Sequence, residues 1–258
     1  MNPIIFIVLL TSLFFISMLL FSAAGRWIGT RQLHRNPKKL DEGTGASEGA
    51  VFALLGLLIA FTFTGAASRF ESRRHLIVEE ANDIGTAYLR IDLLASQDQP
   101  ALREKFKRYT DLRILTFTDY HSTDKVDKDL ALTAKLQKDI WQYAIAASKK
   151  PEAMPDATKL LVPALNAMID ISSTRTVATR NHPPTVIYFF LYVLSMFSAL
   201  LIGYDTAANK DRAKLHRTIF AITIIMSFYI IIDLEFPRVG LIRIDADDQV
   251  LIDTRNSM

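Results

Sequence analysis

Apolar residues in this chain are concentrated in four long blocks that are separated by charged segments. The blocks cover residues 1–25, 49–68, 183–204 and 218–232. A bilayer core about 30 Å thick needs roughly 20 apolar residues in helical form, and the first three blocks reach that length. The fourth is shorter, but its apolar face extends to Phe236, and Pro237 then stops a helix. The pattern therefore predicts four transmembrane helices, the last of them over 218–236.

The first block is also where a secretory signal peptide would lie. Such a peptide has a basic start, a shorter apolar stretch and a small-residue cleavage site. No Lys or Arg precedes Ile4, and the apolar run has full spanning length, which favours a retained helix. The run Ser22-Ala23-Ala24-Gly25 leaves cleavage open as the alternative.

The segment 69–182 has the mixed apolar and charged pattern of soluble helices. Its first part predicts a heptad seam made of Phe70, Ile77, Ala81, Ile84, Tyr88, Ile91 and Ala95. No proline lies between Gly49 and Gln99. We therefore expect the second span to continue into the seam as one helix of about 45 residues.

Three further helices are predicted in this segment, over 101–121, over 127–149 and from Asp156 to the Asn181-His182-Pro183-Pro184 stop. Their expected buried faces are Leu102, Phe106, Tyr109 and Leu112, then Leu132, Leu136, Ile140, Tyr143 and Ala147, then Leu160, Leu161, Leu165, Met168 and Ile169. The predicted fold is all-α, with four transmembrane helices and an extramembrane helical bundle inserted between spans two and three. Residues 26–48 and 205–217 are predicted to be basic connecting loops, and 237–258 a C-terminal tail.

Basic residues give the predicted orientation, because short cytoplasmic loops are enriched in Lys and Arg. Nine such residues lie in the two short connections: Arg26, Arg31, Arg35, Lys38, Lys39, Lys210, Arg212, Lys214 and Arg217. Seven lie near the membrane on the other side: Arg69, Arg73, Arg74, Arg175, Arg180, Arg238 and Arg243. The larger number of basic residues in the two short connections predicts that these connections are cytoplasmic. Both termini and the segment 69–182 are then expected outside the cytoplasm.

Composition excludes several classes of site. The chain has no cysteine, so disulfides and thiolate chemistry are absent. Its five histidines are scattered, with no pair at metal-ligand spacing, and no nucleophile elbow or phosphate-binding glycine loop occurs. The formal charge is only +3, without a basic run interleaved with aromatics. We therefore predict no enzyme, no metal, no cofactor and no nucleic-acid partner.

The second span carries the most informative pattern. Small residues recur every four positions, at Gly56, Ala60, Thr64 and Ser68. Such a stripe lets helices approach closely in lipid, either between subunits or within one chain.

A second face of the same helix is a candidate pore lining. Its residues are Leu58, Thr62, Gly65 and Arg69, and they end in a charge at the membrane boundary. Phe61 and Phe63 beside it are candidates for an apolar constriction that gates by dewetting. The alternative for these aromatics is ordinary lipid or core contact.

Two acids at the end of the fourth span, Asp233 and Glu235, are candidate boundary residues. Acidic groups near hydrocarbon are costly and often functional. Their position near the boundary also permits simple solvation.

Several stretches resemble the bestrophin-like family of bacterial membrane proteins. They include residues 54–63, Ser68-Arg69-Phe70-Glu71 and Glu79 to Arg90. The run Met168-Ile169-Asp170-Ile171 with Arg175, and the tail 233–237 with 240–244, are also similar to it. The resemblance covers both membrane pairs and the segment between them.

This resemblance implies a multi-pass protein of the bacterial inner (plasma) membrane, related to bestrophins, which are pentameric anion channels with an apolar neck on the second spanning helix. It also implies a cytoplasmic soluble region, opposite to the orientation that the charge count predicts. Two hypotheses follow: a homo-oligomeric ion channel, with membrane lipid and a small ion as partners, or a non-conducting sensor or scaffold. In the second, the helical domain binds a partner protein around residues 103–113.

Overall fold

The computed structural model describes residues 3–35, 45–118, 123–207 and 213–258, and every regular element in these ranges is helical. The helices are α1 (Pro3–Arg35), α2 (Gly45–Leu89), α3 (Gln99–Thr118), α4 (Thr123–Ser148), α5 (Ala157–Arg180), α6 (Thr185–Asp205), α7 (Ala213–Glu235) and α8 (Gln249–Asn256), with a 3₁₀ turn at Arg90–Leu93. Four of the described helical stretches are long and apolar enough to cross a membrane, as predicted.

The chain divides into two compact units. The first comprises residues 1–70 and 182–242, and the second comprises residues 71–181 and 243–258. Helix α2 contributes residues to both. It is continuous over 45 residues, which confirms the predicted length and reflects the absence of any proline in its sequence.

The first unit is built on the apolar helices α1, α6 and α7 and the first half of α2. Its core is made of Phe14, Met18, Leu55, Leu191, Leu194, Met196, Ala199, Ala221, Ile224 and Phe228. Helices α1 and α6 run in the same direction, because Phe14 lies beside Tyr192 and, further along both helices, Gly29 lies beside Ala207.

Glycines allow α1 and α6 to pack backbone against backbone. A Cβ atom added at Gly203 would lie 2.8 Å from the carbonyl carbon of Ser22, and one added at Gly25 would lie 2.8 Å from that of Leu200. Small residues at such contacts drive helix association in lipid, where apolar burial gives no advantage. Ser22 and Gly25, which the sequence offered as part of a cleavage site, are therefore helix-packing positions in this structure.

The second unit is a bundle of α3, α4, α5, α8 and the second half of α2. The predicted seam is confirmed from Ile77 onward, since Ile77, Ala81, Ile84, Tyr88, Ile91 and Ala95 are all buried. Its first predicted residue, Phe70, is only partly buried and packs in the first unit instead. Leu102, Phe106 and Tyr109 on α3 are fully buried as expected. Leu132 on α4 and Leu160 on α5 are 52% and 44% exposed, so their predicted burial was wrong. Each lies at the edge of its helix's apolar face.

Several boundaries differ from the predicted ones. Helix α1 continues to Arg35 and α2 begins at Gly45, so much of the predicted loop 26–48 is helical. Residues 26–35 contain no proline or glycine pair that would break a helix. The predicted tail is also partly ordered, because α8 packs into the second unit through Leu251, which is 1% exposed. Lys38, Lys39, Lys210 and Arg212 lie outside the described residues.

Candidate functional site

One face of α2 packs against the other helices of the first unit. Leu55 and Ala66 on this face are buried, and Leu58 packs against the same core as Leu55. Thr62 lies between them and donates its hydroxyl hydrogen bond to the Leu58 carbonyl at 2.7 Å. The structure thus turns part of the candidate pore face, Leu58 and Thr62, towards its own chain.

The opposite face of α2 is exposed. All four residues of the small-residue stripe, Gly56, Ala60, Thr64 and Ser68, lie on it. A Cβ atom added at Gly56 would meet nothing within 4 Å. Thr64 donates to the Ala60 carbonyl at 2.9 Å, which satisfies its hydroxyl within the helix. Gly56, Ala60 and Thr64 are therefore not buried against another described helix.

Phe61 and Phe63 flank this stripe. Their exposed fractions are 66% and 44%, which are large for aromatic side chains. Successive helical residues are rotated by about 100°, so Phe61 and Phe63 point roughly 200° apart, on either side of Ala60 and Thr64. The candidate constriction residues and the stripe thus form one exposed surface.

Arg69, the last candidate pore residue, forms an ion pair inside the first unit. Its Nε donates to Glu235 Oε1 at 2.7 Å, and its second guanidinium nitrogen donates to the same oxygen. The Glu235 side chain is fully buried, and its other oxygen lies 3.3 Å from His182 Nδ1. His182 in turn stacks on Phe236 at 4.6 Å between ring centroids. Gly65 lies one turn before Arg69 and gives room to its guanidinium.

Asp233 holds the chain segment that follows α7. Its carboxylate accepts hydrogen bonds from the backbone N–H of Leu241, at 3.0 Å, and of Ile242, at 2.8 Å. Gly240 passes so close to this carboxylate that a Cβ atom there would collide with it. Both candidate boundary acids are thus buried and bonded within the chain, and neither is simply solvated.

The second unit contains a buried ionic cluster that sequence reasoning did not identify. Glu80 accepts hydrogen bonds from Arg113 and, at 2.6 Å, from Arg175, and all three side chains are at most 3% exposed. Arg175 also donates to Asp248 at 3.0 Å. Both guanidinium groups lie over the ring of Phe117, that of Arg175 at 3.9 Å. We name Glu80, Arg113, Arg175 and Asp248 the buried ionic cluster.

A neutral hydrogen-bond group adjoins this cluster. Gln137 donates to the Ser172 hydroxyl at 2.7 Å and to the Tyr109 hydroxyl at 3.3 Å. Burial raises the pKa of the Tyr109 phenol above its ordinary value. Tyr109 therefore stays neutral at any physiological pH, and the group serves as packing.

The sequence did contain a sign of the cluster. Glu80 falls three residues after Ile77 and four before Ile84, on the buried side of the heptad seam. Arg175 likewise falls four residues after Ile171, on the buried face of α5. A charge at a core position requires a partner of opposite sign, but the spacing does not say which one.

No group of three or more metal-binding side chains occurs among the residues that the structure describes. The arrangement offers apolar surface, small residues and internally satisfied charges.

Comparison with known proteins agrees with this architecture. The family model described as "Bestrophin-like domain" matches residues 4–248 of this chain. No curated protein matches the chain significantly. Crystal structures of two point variants of a bacterial bestrophin homolog from Klebsiella pneumoniae resemble it with TM-scores of 0.70 and 0.67, each at 12% identity over 93% of this chain and 98% of that one. A variant of a membrane protein is similar with a TM-score of 0.67 at 13% identity, over 94% of this chain and 98% of the other. At such identity the likeness concerns the fold.

Proposed function

The chain belongs to the Bestrophin-like family and is an all-helical membrane protein, and from this premise we propose that it is a homo-oligomeric ion channel with α2 around the central axis. The expected permeant species is a small ion, an anion by the family likeness. The proposed location is the bacterial inner membrane.

One observation carries the proposal. The membrane part of α2 exposes a surface made of Gly56, Ala60, Thr64, Phe61 and Phe63, although the other three apolar helices of the unit are available to cover it. Small residues allow helices to approach closely in lipid, which stabilises their association. Copies of α2 arranged around an axis would bring this surface together.

The axis-facing surface is proposed to be the stripe with its flanking phenylalanines. Leu58 and Thr62 pack towards their own chain, and Arg69 forms an ion pair with Glu235. This face therefore anchors α2 to the rest of its own subunit and is less suited to lining a pore. Phe61 and Phe63 remain the candidates for an apolar constriction.

The remaining parts of the assembly are proposals as well. Residues 69–182 are proposed to form an extramembrane bundle between spans two and three, and five copies are proposed by family likeness. The charge count supports a position of this bundle outside the cytoplasm, and the family supports the cytoplasmic side.

The alternative of a sensor or scaffold loses part of its motivation. It rests on the missing catalytic set and on exposed charged helices, with the partner protein expected around residues 103–113. Within that stretch Arg113 is 1% exposed, and Arg103 donates to Asp92 and lies over Tyr88. Some of the cations on this helix therefore form contacts within the chain and are less accessible to a partner protein.

The first experiment is electron microscopy of the detergent-purified protein with two-dimensional class averages. A ring of subunits with α2 innermost is expected. A monomer, or a dimer without a central axis, would remove the channel.

Thiol labelling then tests which face of α2 is accessible to water, and the absence of native cysteine from the chain makes each introduced thiol the only reactive one. In the assembled protein, Thr64→Cys is expected to react with a charged, membrane-impermeant methanethiosulfonate reagent. Thr62→Cys, packed in the chain, and Leu20→Cys, exposed on α1, are controls that should stay unlabelled, because the reaction requires water. Equal labelling of Thr62→Cys and Thr64→Cys would contradict the proposed face.

Conductance is the functional readout. Purified protein in voltage-clamped bilayers is expected to conduct, and Phe61→Ala or Phe63→Ala is expected to raise conductance by widening an apolar constriction. Absence of current in the wild type and in both variants, over a range of ions and pH, would exclude a channel.

A further inference from the structure

The ends of three helices in the second unit form a cavity of about 110 Å³. It lies between the last turn of α3, the first turns of α4 and the last turns of α5, whose residues line it. A water-sized group takes up about 30 Å³ in a liquid, so the cavity holds roughly four such groups. A small organic molecule with a short chain therefore fits this space.

The cavity has an apolar wall formed by one side chain from α3 and two from α4, namely Phe117, Val126 and Leu130. Phe117 is 3% exposed, and its ring carries the guanidinium groups of Arg113 and Arg175. These contacts with the buried ionic cluster hold the ring in place. An alkyl chain that packs on this wall is stabilised because its apolar surface is removed from water.

Three threonines provide the polar part of the lining, and their hydroxyl oxygens can accept hydrogen bonds from a ligand. Each hydroxyl already donates to a carbonyl oxygen of its own helix: Thr116 to Leu112 at 2.7 Å, Thr176 to Ser172 at 2.8 Å and Thr179 to Thr176 at 2.7 Å. A hydroxyl oxygen whose hydrogen is donated keeps its lone pairs as acceptors. The three groups therefore suit a ligand that donates hydrogen bonds.

One carboxylate and one guanidinium add charge to the lining. Asp127 of α4 accepts a hydrogen bond from Arg180 of α5 at 3.0 Å, and both side chains are 61% exposed. An ion pair this exposed contributes little to stability, so a second cation can replace Arg180 at small cost. The carboxylate and the threonine oxygens are acceptors, against one guanidinium among the described lining residues, which favours a cationic ligand over an anionic one.

We propose that this cavity binds a small primary ammonium ion that carries an alkyl chain of about four carbon atoms. The chain packs on Phe117, Val126 and Leu130, and the ammonium group donates to Asp127 in place of Arg180 and to the threonine oxygens. Such a ligand contacts α3, α4 and α5 at once, so its binding stabilises the second unit. This binding is independent of ion conduction.

Titrations of the full chain in detergent at neutral pH with n-butylammonium, n-butanol and pentanoate test the proposal, because these probes share a butyl chain and differ in charge. Ligand-observed NMR gives the dissociation constants, with protein-free detergent as the blank, and thermal unfolding gives the shift in midpoint. We expect n-butylammonium to raise the midpoint and to bind with a dissociation constant of about 1 mM or below. The other two probes should bind about tenfold more weakly or worse.

Three variants separate the roles of the charged residues. Asp127→Asn keeps the size of the side chain and should lower n-butylammonium affinity about tenfold, because a charge-assisted hydrogen bond is lost. Arg180→Gln removes the competing cation and should not lower that affinity. Asp129→Asn, two residues further along α4, changes a carboxylate that does not line the cavity and should leave the affinity as it is.

Several results would overturn the proposal. They are absence of n-butylammonium binding, equal affinities for the three probes, tighter binding of pentanoate, and unchanged n-butylammonium affinity in Asp127→Asn. A loss of about tenfold in Arg180→Gln would do the same, because it would place the guanidinium against the ligand. Since Asp127 and Arg180 are mostly exposed, both variants are expected to fold, and thermal unfolding without ligand checks this.

Discussion

Neutralising Glu80 tests the energetic role of the buried ionic cluster. The Glu80 side chain has no exposed surface and is the counter-ion of Arg113 and Arg175, whose side chains are 1% and 3% exposed. Glu80→Gln keeps the size of the side chain but leaves two buried positive charges with one remaining carboxylate, Asp248. Breaking a buried ion pair by changing one partner costs roughly 3–5 kcal/mol. Because Asp248 still pairs with Arg175, we expect a loss of stability at the lower end of that range, about 3 kcal/mol.

The neighbouring residue supplies the control. Glu79 precedes Glu80 on the same helix turn but is exposed, so Glu79→Gln should change stability by less than about 0.5 kcal/mol. For a chain of this size a loss of 3 kcal/mol lowers the unfolding midpoint by roughly 6–12 °C. The assay is thermal unfolding in detergent, followed by circular dichroism. A loss below about 1 kcal/mol in Glu80→Gln, or equal losses in the two variants, would refute the view that Glu80 is the shared counter-ion.

Three further outcomes follow from other contacts. Gly203→Ala should destabilise the protein by about 1–3 kcal/mol, because the added methyl group meets the backbone of α1. Gly56→Ala should not destabilise the monomer, and comparing the unfolding midpoints of the two variants in the same thermal assay tests this difference. Changing Arg69 and Glu235 to Gln singly and together should give a coupling energy of about 1–3 kcal/mol in a double-mutant cycle, and additive losses would mean that the pair does not interact. Arg255→Gln should cost no more than about 1 kcal/mol by the same assay, since its ion pair is partly exposed, and a larger loss would contradict that assignment.

The helices could be predicted from the sequence because their causes are local. Apolar run length determines which segments can cross a bilayer, and the absence of proline from 49 to 99 determines that α2 continues as one helix. The heptad spacing from Ile77 to Ile91 likewise identifies a buried face before any partner is known.

The pairing of charges could not be predicted in the same way. Arg69 and Glu235 are 166 positions apart, and Glu80 and Arg175 are 95 apart. All four lie in stretches that carried the family resemblance, but a one-dimensional pattern does not say which cation meets which acid. That choice depends on helix packing, where close contacts such as Gly203 with Ser22 set the distance between helices.

The internal pairing of charges also narrows the mechanism that a channel formed by this chain can use. Arg69 is the one charged residue among the candidate axis residues, and Glu235 neutralises it within the same chain. What α2 exposes between Gly56 and Thr64 is uncharged, so charge at this level cannot provide strong ion selection. An apolar constriction blocks ions by the cost of removing water from them, whatever their sign. Arg69→Gln should therefore alter ion preference less than Phe61→Ala alters conductance. A reversal of ion preference in Arg69→Gln would place this arginine in the conduction path.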